Sequence, residues 1–454
     1  MQGCLRRISM KLNRLLLQSL KQWANQAHRL PLLLRGARQT GKTWLLQELG
    51  RECFEHTAYF DFASRPALQE IFSSTRDPQT ILKGLNLLSE VPILPGKTLI
   101  VFDEIQLCDH AFGSLKYFAQ NAPEYAVAAS GSLLGIEVRR KQIFVPVGQV
   151  DIRDVWPLSF SEFLFNASPK LYDYVEHISE ITQLPTFVLN EIESEFIRYQ
   201  CIGGMPAAVA AFMDGEEMRS IESSLRNILA MYRLDFSQYA TPTEAVRIAA
   251  VWDAIPSQLA KPNSRFFLSQ IHANARSREF APALQWLCEA GLVLKTPRVS
   301  TAKIPLRAYL EPEIFKLYAK DIGLLRVMAN LSSDSLLNPS VMSEFKGTLA
   351  ENLVANSLCR TYGVEPCYWT SGAQAEVDFL IESAGQIFPL EVKAGKSVAG
   401  KSLSVYSRKF NPSLSIRLSG LNLRKDNNLL NVPLSLVDWL PKFVQLALSD
   451  NTRH

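Results

Sequence analysis

Four short apolar runs are spaced along the first 165 residues, and helical patterns fill the stretches between them. The runs cover residues 30–34, 58–62, 98–102 and 125–129. Runs of this length, rich in apolar and β-branched side chains, are typical of strands buried on both faces of a parallel sheet. The alternation therefore predicts an α/β layer over residues 1–165, with helices on both sides of the sheet.

The residues from 166 to 240 are helical in pattern and acidic. Gly203, Gly204 and Pro206 interrupt this stretch, and such residues inside a helical pattern predict a bend between two helices. We interpret the stretch as a helical lid.

Residues 241–330 have the order of elements of a winged helix. Amphipathic helices are predicted over residues 245–259 and 278–290, and strands over residues 292–294 and 306–310 would form the wing. Basic side chains that would line one side of this unit are Arg276, Arg278, Lys295, Arg298, Lys303 and Arg307. That side suits a DNA backbone. The alternative is that the unit only packs between domains.

A polar linker covers residues 330–335, and Asn338, Pro339 and Ser340 follow it. It introduces a final α/β domain over residues 336–445, in which a helix is predicted at residues 347–359. Strands are predicted over residues 375–381 and 387–393.

Length and composition fit a globular protein of several domains. The chain has 454 residues, of which 47% are hydrophobic and 20% charged, and a single core does not grow to this length. No apolar run approaches the roughly 20 residues of a membrane span, so we expect no membrane partner. Seven cysteines without C-x-x-C spacing argue against a disulfide framework or zinc site and favour the reducing cytoplasm.

The net charge of +4 is too small to indicate a nucleic-acid partner by itself, but its distribution is uneven. Residues 151–225 contain 13 acidic and 4 basic side chains, whereas residues 386–425 contain 8 basic and 1 acidic. A polyanion such as DNA would be attracted to the second region and repelled by the first.

The residues after the first predicted strand fit the P-loop motif G-x-x-x-x-G-K-[ST]. They are Gly36, Ala37, Arg38, Gln39, Thr40, Gly41, Lys42 and Thr43. Glycines let backbone N–H groups approach phosphate oxygens, and the following helix N-terminus adds partial positive charge. Lys42 would contact the β- and γ-phosphates and Thr43 would bind Mg²⁺. We therefore expect ATP binding. The bend at Gly203 and Gly204 would either close over the adenine of the bound ATP or simply be a break between two helices.

An acidic pair, Asp103 and Glu104, ends the third predicted strand. Behind a P-loop this pair predicts a Walker B motif, in which Asp103 binds Mg²⁺ through its coordinated water and Glu104 orients or deprotonates the attacking water. Without the P-loop it would be only a solvated turn.

Ser130 ends the fourth predicted strand, and Ser132 follows closely. The core resembles AAA-type ATPases, in which a polar residue at this point senses the γ-phosphate. Ser130 is the first candidate for that role; the alternative is that serines are simply common where strands end.

The final domain has its own carboxylates. Asp378 lies on one predicted strand and Glu391 on the next, with Lys393 on the same face as Glu391 because side chains alternate along a strand. Two such carboxylates would bind Mg²⁺, and the lysine would assist catalysis. The arrangement resembles the PD-(D/E)xK nucleases, and that resemblance adds Glu351 as a helical acid. The alternative is a nuclease fold that only binds DNA or a partner.

Taken together, the motifs resemble a prokaryotic family of AAA-type ATPases with a C-terminal domain of unknown function 4143. The resemblance rests on residues 36–43, 102–106, 130–134, 157–163, 203–206, 316–325 and 376–379. The chain departs from the family where Gln149 follows Pro146, Val147 and Gly148, because a cation is usual there. The implied fold is a P-loop αβα core with a helical lid, a winged-helix-like domain and a restriction-endonuclease-like domain.

Two functional classes remain open. In the first, an ATP-hydrolysing core gates a nuclease-like domain that acts on DNA, with contacts through the winged-helix-like and C-terminal domains. In the second, ATP drives a signalling or assembly switch whose C-terminal domain only binds a partner. Retention of Asp378, Glu391 and Lys393 favours the first. The sequence leaves oligomerisation and any arginine finger open.

Overall fold

A computed structural model of the chain describes residues 11–141, 148–261, 263–271, 276–337, 344–372, 375–396 and 401–450. The predicted linker residues Asn338, Pro339 and Ser340 lie outside these ranges, as do Pro146 and Val147. The chain divides into two compact units. The P-loop unit comprises Asn13–Pro157 and Gln285–Leu292, and the C-terminal unit comprises Met1–Leu12, Leu158–Leu284 and Val293–His454.

The P-loop unit is an α/β layer, as the sequence predicted. Its strands are β1 (Leu32–Arg35), β2 (His56–Asp61), β3 (Thr98–Asp103), β4 (Ala126–Gly131) and β5 (Asp151–Asp154). Its helices are α1 (Leu16–Ala24), α2 (Lys42–Cys53), α3 (Ala67–Ser74), α4 (Pro78–Leu88), α5 (Asp109–Asn121) and α6 (Leu134–Lys141). Among the described residues the strands are all parallel and lie in the order β2-β3-β4-β1-β5.

Each central strand of this sheet is buried on both faces. Ile100 and Phe102 contribute to one hydrophobic cluster, while Leu99 and Val101, which alternate with them, contribute to the cluster on the other face. This is why the strands have nearly continuous apolar sequences. The parallel order also brings the carboxyl ends of β1, β3 and β4 to one edge of the sheet.

The C-terminal unit combines helices with a mixed sheet. Its helices are α7 (Phe160–Ala167), α8 (Pro169–Glu176), α9 (Thr186–Ile202), α10 (Pro206–Met213), α11 (Met218–Tyr239), α12 (Pro242–Leu259), α13 (Ser277–Glu289, whose last residues belong to the P-loop unit), α14 (Ile322–Met328), α15 (Ser333–Leu337), α16 (Glu344–Tyr362), α17 (Ser402–Phe410) and α18 (Leu440–Asp450). Its strands are β6 (Val293–Val299), β7 (Leu310–Ala319), β8 (Cys367–Thr370), β9 (Glu376–Ser383), β10 (Gln386–Val392), β11 (Ser415–Ser419), β12 (Arg424–Asp426) and β13 (Leu429–Pro433).

The predicted wing is a β6–β7 hairpin, and it belongs to the same sheet as the final domain. Among the described residues the strand order is β12-β13-β11-β10-β9-β8-β6-β7, and β6 pairs in parallel with β8. The predicted boundary at residues 330–336 therefore separates strands that are hydrogen-bonded to one another.

The second wing strand was predicted over residues 306–310, and this was wrong because β7 begins only at Leu310. Residues Leu306–Tyr309 form a 3₁₀ turn instead. The Leu306 side chain is buried in a hydrophobic cluster, and its backbone N–H donates to Glu382 Oε2 at 2.8 Å. These contacts fix the turn.

The Gly203–Gly204 bend falls between α9 and α10, and close packing requires both glycines. A Cβ on Gly204 would lie 2.0 Å from the Leu158 carbonyl oxygen, and a Cβ on Gly203 would lie 2.5 Å from Asp321 Oδ1. The Gly204 N–H donates to Asp321 Oδ2 at 2.7 Å. Over the part of the chain that the structure describes, no helix has the length and apolarity needed to cross a membrane.

Candidate functional site

The P-loop joins β1 to α2 through backbone conformations that favour glycine. Gly36 has φ +151° and Gly41 has φ +91°. A Cβ on Gly36 would lie only 2.3 Å from the carbonyl oxygen of Val155 in the neighbouring chain segment. Gly36 is thus required by packing as well as by the phosphate contact that the motif predicts.

Helix α2 presents an N-terminus without a side-chain cap. Gly41 occupies the N-cap position, and the first turn contains no acidic residue. The backbone N–H groups of that turn therefore remain available to an anion, which the helix dipole also favours. This geometry fits the phosphates of a nucleotide.

Lys42 is buried and folds back on the loop, where its Nζ donates to the carbonyl oxygens of Gly36 at 3.0 Å and Ala37 at 2.7 Å. Burial lowers the pKa of Lys42 to about 8, although the carboxylates of Glu104 and Asp103 act in the opposite direction. The ammonium form still predominates at neutral pH, so the residue can contact phosphate oxygens.

Asp103 connects the P-loop to the end of β3. The Thr43 hydroxyl donates to Asp103 Oδ2 at 2.7 Å, and the Tyr59 hydroxyl donates to the same oxygen at 2.6 Å. The Ser130 hydroxyl donates to Oδ1. Thr43 and Asp103, the two predicted Mg²⁺ ligands of this unit, therefore meet directly, while sequence reasoning missed Tyr59.

Glu104 is held beside Asp103 by two further donors. Its backbone is in the left-handed region, at φ 51° and ψ 44°. Its Oε2 accepts hydrogen bonds from the Ser132 hydroxyl at 2.6 Å and from the Gln106 amide. These contacts fix the carboxylate, and Gln106 was not predicted to take part.

The position of β4 explains why both serines lie in the site. This strand runs between β1, which carries the P-loop, and β3, which carries the acids. Residues at its carboxyl end must therefore lie between the two motifs. Ser130 contacts Asp103 and Ser132 contacts Glu104; the sensor role of Ser130 stays a prediction.

A segment far along the chain also reaches the P-loop. The turn after α13 belongs to the P-loop unit, and a Cβ on Gly291 would lie 3.3 Å from the backbone nitrogen of Ala37. Gly291 has φ +71°, a conformation that favours glycine. No motif in the sequence indicated this contact.

In the C-terminal unit, Asp378 and Glu391 lie on adjacent antiparallel strands. Leu390 pairs with Phe379, so the next step of the register puts Glu391 opposite Asp378, on the same face. The Val392 N–H donates to Asp378 Oδ2 at 2.7 Å. The structure thus brings the two strands together as the sequence predicted.

The Glu391 carboxylate is already paired with cations. Its side chain is 2% exposed; Oε1 lies 3.2 Å from Lys393 Nζ, and Oε2 lies 3.7 Å from Arg417 Nε. Glu391 and Lys393 therefore lie next to each other, as the alternation of side chains along the strand predicted. Arg417, on β11, was not foreseen.

A buried lysine, Lys316, occupies the other side of this region. Its Nζ lies 3.2 Å from Glu351 Oε2 and 2.7 Å from Glu376 Oε1. Burial and the Glu351 carboxylate raise the pKa of Asp378 to about 7, although Lys316 acts in the opposite direction. Glu351 and Asp378 thus share a cluster with a cation that the chain itself supplies.

The three-carboxylate metal site predicted from Glu351, Asp378 and Glu391 is not formed as a group. Within the described ranges, no set of three or more His, Cys, Asp or Glu side chains is arranged to hold a metal ion. The physical reason is that Glu351 pairs with Lys316 while Glu391 pairs with Lys393 and Arg417.

Comparison with protein families assigns both ends of the chain. Residues 28–164 match the family model "AAA domain", and residues 346–437 match domain of unknown function 4143. The two matches support an AAA-type P-loop domain in the first part of the chain and domain of unknown function 4143 in the last part. Residues 193–335 match domain of unknown function 8612, which spans the predicted boundary at residue 240.

Several solved structures are similar over most of the chain at low identity. The Walker-type ATPase PABY2304 of Pyrococcus abyssi is 16% identical, with 69% of this chain and 93% of that chain covered and a TM-score of 0.43. The Aeropyrum pernix ORC2 protein is 13% identical, with 73% and 96% covered and a TM-score of 0.34. The Thermotoga maritima RuvB Holliday junction branch migration motor is 14% identical, with 63% and 90% covered and a TM-score of 0.30. No curated protein matches the chain.

Proposed function

We propose that the chain binds ATP with Mg²⁺ at the P-loop and hydrolyses it. The observation that carries this proposal is the 2.7 Å hydrogen bond from Thr43 to Asp103. Two residues predicted to bind one Mg²⁺ meet there, although 60 positions separate them. Bound Mg²⁺ would neutralise charge on the β- and γ-phosphates.

The chain's own residues supply the remaining functions. The uncapped N–H groups of α2 bind phosphate oxygens. Lys42 exchanges the carbonyl oxygens of Gly36 and Ala37 for phosphate oxygens. Glu104 accepts a hydrogen bond from the attacking water, and Ser132 and Gln106 keep its carboxylate oriented.

Two variants test this proposal in an assay of ATP binding and turnover. Lys42→Ala removes the cation from the loop, so we expect weaker ATP binding from a folded protein. Glu104→Gln keeps Asp103 in place, so we expect ATP binding to persist while turnover falls by about 10²-fold or more. Normal turnover in Glu104→Gln would show that another residue activates the water. Unchanged ATP affinity in folded Lys42→Ala would overturn the assignment of the site.

As a second function, we propose that the C-terminal unit binds the phosphate backbone of DNA next to β10. Lys393 is partly exposed, and Lys396 and Lys401 are exposed near it along the chain. Lys393 and Arg417 lie within ion-pair distance of Glu391, and this favours binding without cleavage because the two cations offset the charge that a metal ion would need.

Cleavage is the alternative outcome of the same experiment. DNA is incubated with the protein and Mg²⁺ or Mn²⁺, and its length is followed with time. Intact DNA, retained by the protein at low salt, supports binding alone. Cleavage that Asp378→Ala and Lys393→Ala abolish would instead establish a metal-dependent nuclease with Lys393 as a catalytic residue. A protein that neither binds nor cuts DNA would favour the switch that binds another partner.

A further inference from the structure

Lys316 is a buried cation in a part of the sheet where the nuclease resemblance implies a metal. The residue lies on β7, and its side chain is 1% exposed. Its ammonium contacts two carboxylates, at 2.7 Å from Glu376 Oε1 and 3.2 Å from Glu351 Oε2. A lysine buried to this extent is stable only where such partners compensate its charge.

The sheet and one helix enclose this ammonium from several directions. Glu376 and Asp378 are two residues apart on β9 and therefore share a face, and Glu351 reaches the cluster from α16. The Tyr318 hydroxyl, two residues after Lys316 on β7, donates to Glu351 Oε2 at 3.2 Å. The ring of Tyr368 lies 5.2 Å from Lys316 Nζ, at a distance that suits a cation–π contact.

We propose that Lys316 is the resident cation of this carboxylate cluster, in the place where a metal-dependent nuclease would hold a divalent ion. The ammonium forms ion pairs with Glu351 and Glu376 and offsets part of the negative charge that these carboxylates and Asp378 carry, so the cluster binds no Mg²⁺ or Mn²⁺. A divalent ion needs oxygen ligands within about 2.0–2.6 Å. The Lys316 ammonium already contacts the carboxylate oxygens that would serve as those ligands.

The position of Lys316 keeps its ammonium in the cluster. The residue lies at an internal position of β7, opposite Thr296 of β6, and its side chain is 1% exposed, so moving the ammonium to solvent would displace residues that pack around it and break both ion pairs. A metal entering beside it would add a second cation to the same cluster, and the two would repel each other. The cluster is therefore a structural element of the fold, independent of metal.

The test measures Mn²⁺ binding to the full chain without nucleotide, by electron paramagnetic resonance and by the unfolding midpoint. Four proteins are compared: the wild type, Asp378→Asn, Lys316→Met and Lys316→Met with Asp378→Asn. Lys303→Met is the matched control, because it removes the same charge from an exposed position. No step of the test uses ATP or DNA, so failure of this inference is separable from failure of the proposed functions.

We expect Asp378→Asn to leave Mn²⁺ binding of the wild type unchanged. Lys316→Met should lower the unfolding midpoint and should bind about one Mn²⁺ per chain more than the wild type. Bound Mn²⁺ should restore part of the lost stability. Adding Asp378→Asn to Lys316→Met should abolish this extra Mn²⁺ binding. Loss of bound Mn²⁺ in Asp378→Asn alone would overturn the inference, and this comparison stands even if Lys316→Met does not fold. A folded Lys316→Met that gains no Mn²⁺ would overturn it as well.

Discussion

At the scale of single residues, hydroxyl groups position the acids of the P-loop unit. Thr43, Tyr59 and Ser130 donate to Asp103, whereas Ser132 donates to Glu104. The two serines therefore have separate roles. Ser130 positions Asp103, the predicted Mg²⁺ ligand, and Ser132 positions Glu104, the residue predicted to orient or deprotonate the attacking water.

Removal of the Ser132 hydroxyl should affect turnover more than ATP binding. Without this donor Glu104 keeps only the contact from Gln106 and samples other orientations, so we expect Ser132→Ala to lower kcat by about tenfold. Ser132→Thr, which keeps the hydroxyl, is the control. Steady-state ATP turnover with a parallel binding measurement checks this. A loss of affinity with unchanged kcat would contradict the positioning role.

A partly buried carboxyl in the C-terminal unit, that of Glu193, gives a prediction about pH. Burial raises the pKa of Glu193 above its usual 4.5, although the Ser435 hydroxyl donates to it at 2.7 Å. Such a group stabilises the fold most below pH 4.5, and this contribution is lost as pH rises through the raised pKa. The glutamine of Glu193→Gln stays neutral at every pH. The unfolding midpoint of this variant should therefore exceed that of the wild type, and the difference should be larger at pH 8 than at pH 5.

The exposed Glu191 on the same helix provides the control. Glu191→Gln removes a negative charge from an exposed position, so its effect on the unfolding midpoint should differ little between the two pH values. A benefit of Glu193→Gln that is equal at pH 5 and pH 8 would exclude the titration as its cause.

Motifs that are contiguous in the sequence were enough to locate part of the site. The other residues of the site could be identified only from the three-dimensional structure. Asp103 and Glu104 follow an apolar strand and were predicted from that pattern. Tyr59 and Lys316 lie on strands distant in sequence from their carboxylate partners. A tyrosine or lysine inside an alternating strand has no local property that reveals such a partner.

At the scale of elements, the apolar strands of the P-loop unit were predicted to within two residues at each end, because burial on both faces leaves a continuous signal. The turn at Leu306 was mistaken for a strand. Its conformation depends on Glu382, a residue 76 positions away, and no window around Leu306 contains that information.

Close packing of the bend between α9 and α10 against Leu158 gives a prediction at this scale. The Cβ introduced by Gly204→Ala would lie 2.0 Å from the Leu158 carbonyl oxygen, so backbone must move and the variant should lose about 1–3 kcal/mol of unfolding free energy. Gly347 lies in α16 with nothing within 4 Å of a Cβ, and Gly347→Ala should gain about 0.5–1 kcal/mol. Denaturant unfolding measures both. Equal effects would show that the contact at Gly204 relaxes without cost.

At the scale of the whole molecule, the long-range pairing of strands was the least predictable feature. The helices and strands of residues 241–330 and 336–445 were assigned to separate domains. Nothing in the local pattern of β6 indicates that Arg298 pairs with Tyr368 of β8. Strand order depends on contacts between distant segments, whereas hydrophobic periodicity reports only the local environment.

Charge distribution leads to the last prediction, which compares two basic surfaces. If the proposed DNA contact lies beside β10, Lys393→Ala, Lys396→Ala and Lys401→Ala combined should weaken DNA binding. The slope of log affinity against log salt concentration should become shallower by roughly three, since each phosphate contact contributes about −0.9. The control removes three exposed cations from residues 241–330, the region predicted as a winged helix, with Arg278→Ala, Lys303→Ala and Arg307→Ala. Both triple variants lose the same charge, so a general electrostatic effect would change both slopes equally. A change confined to the control would place the DNA contact in the predicted winged-helix region and exclude the surface beside β10.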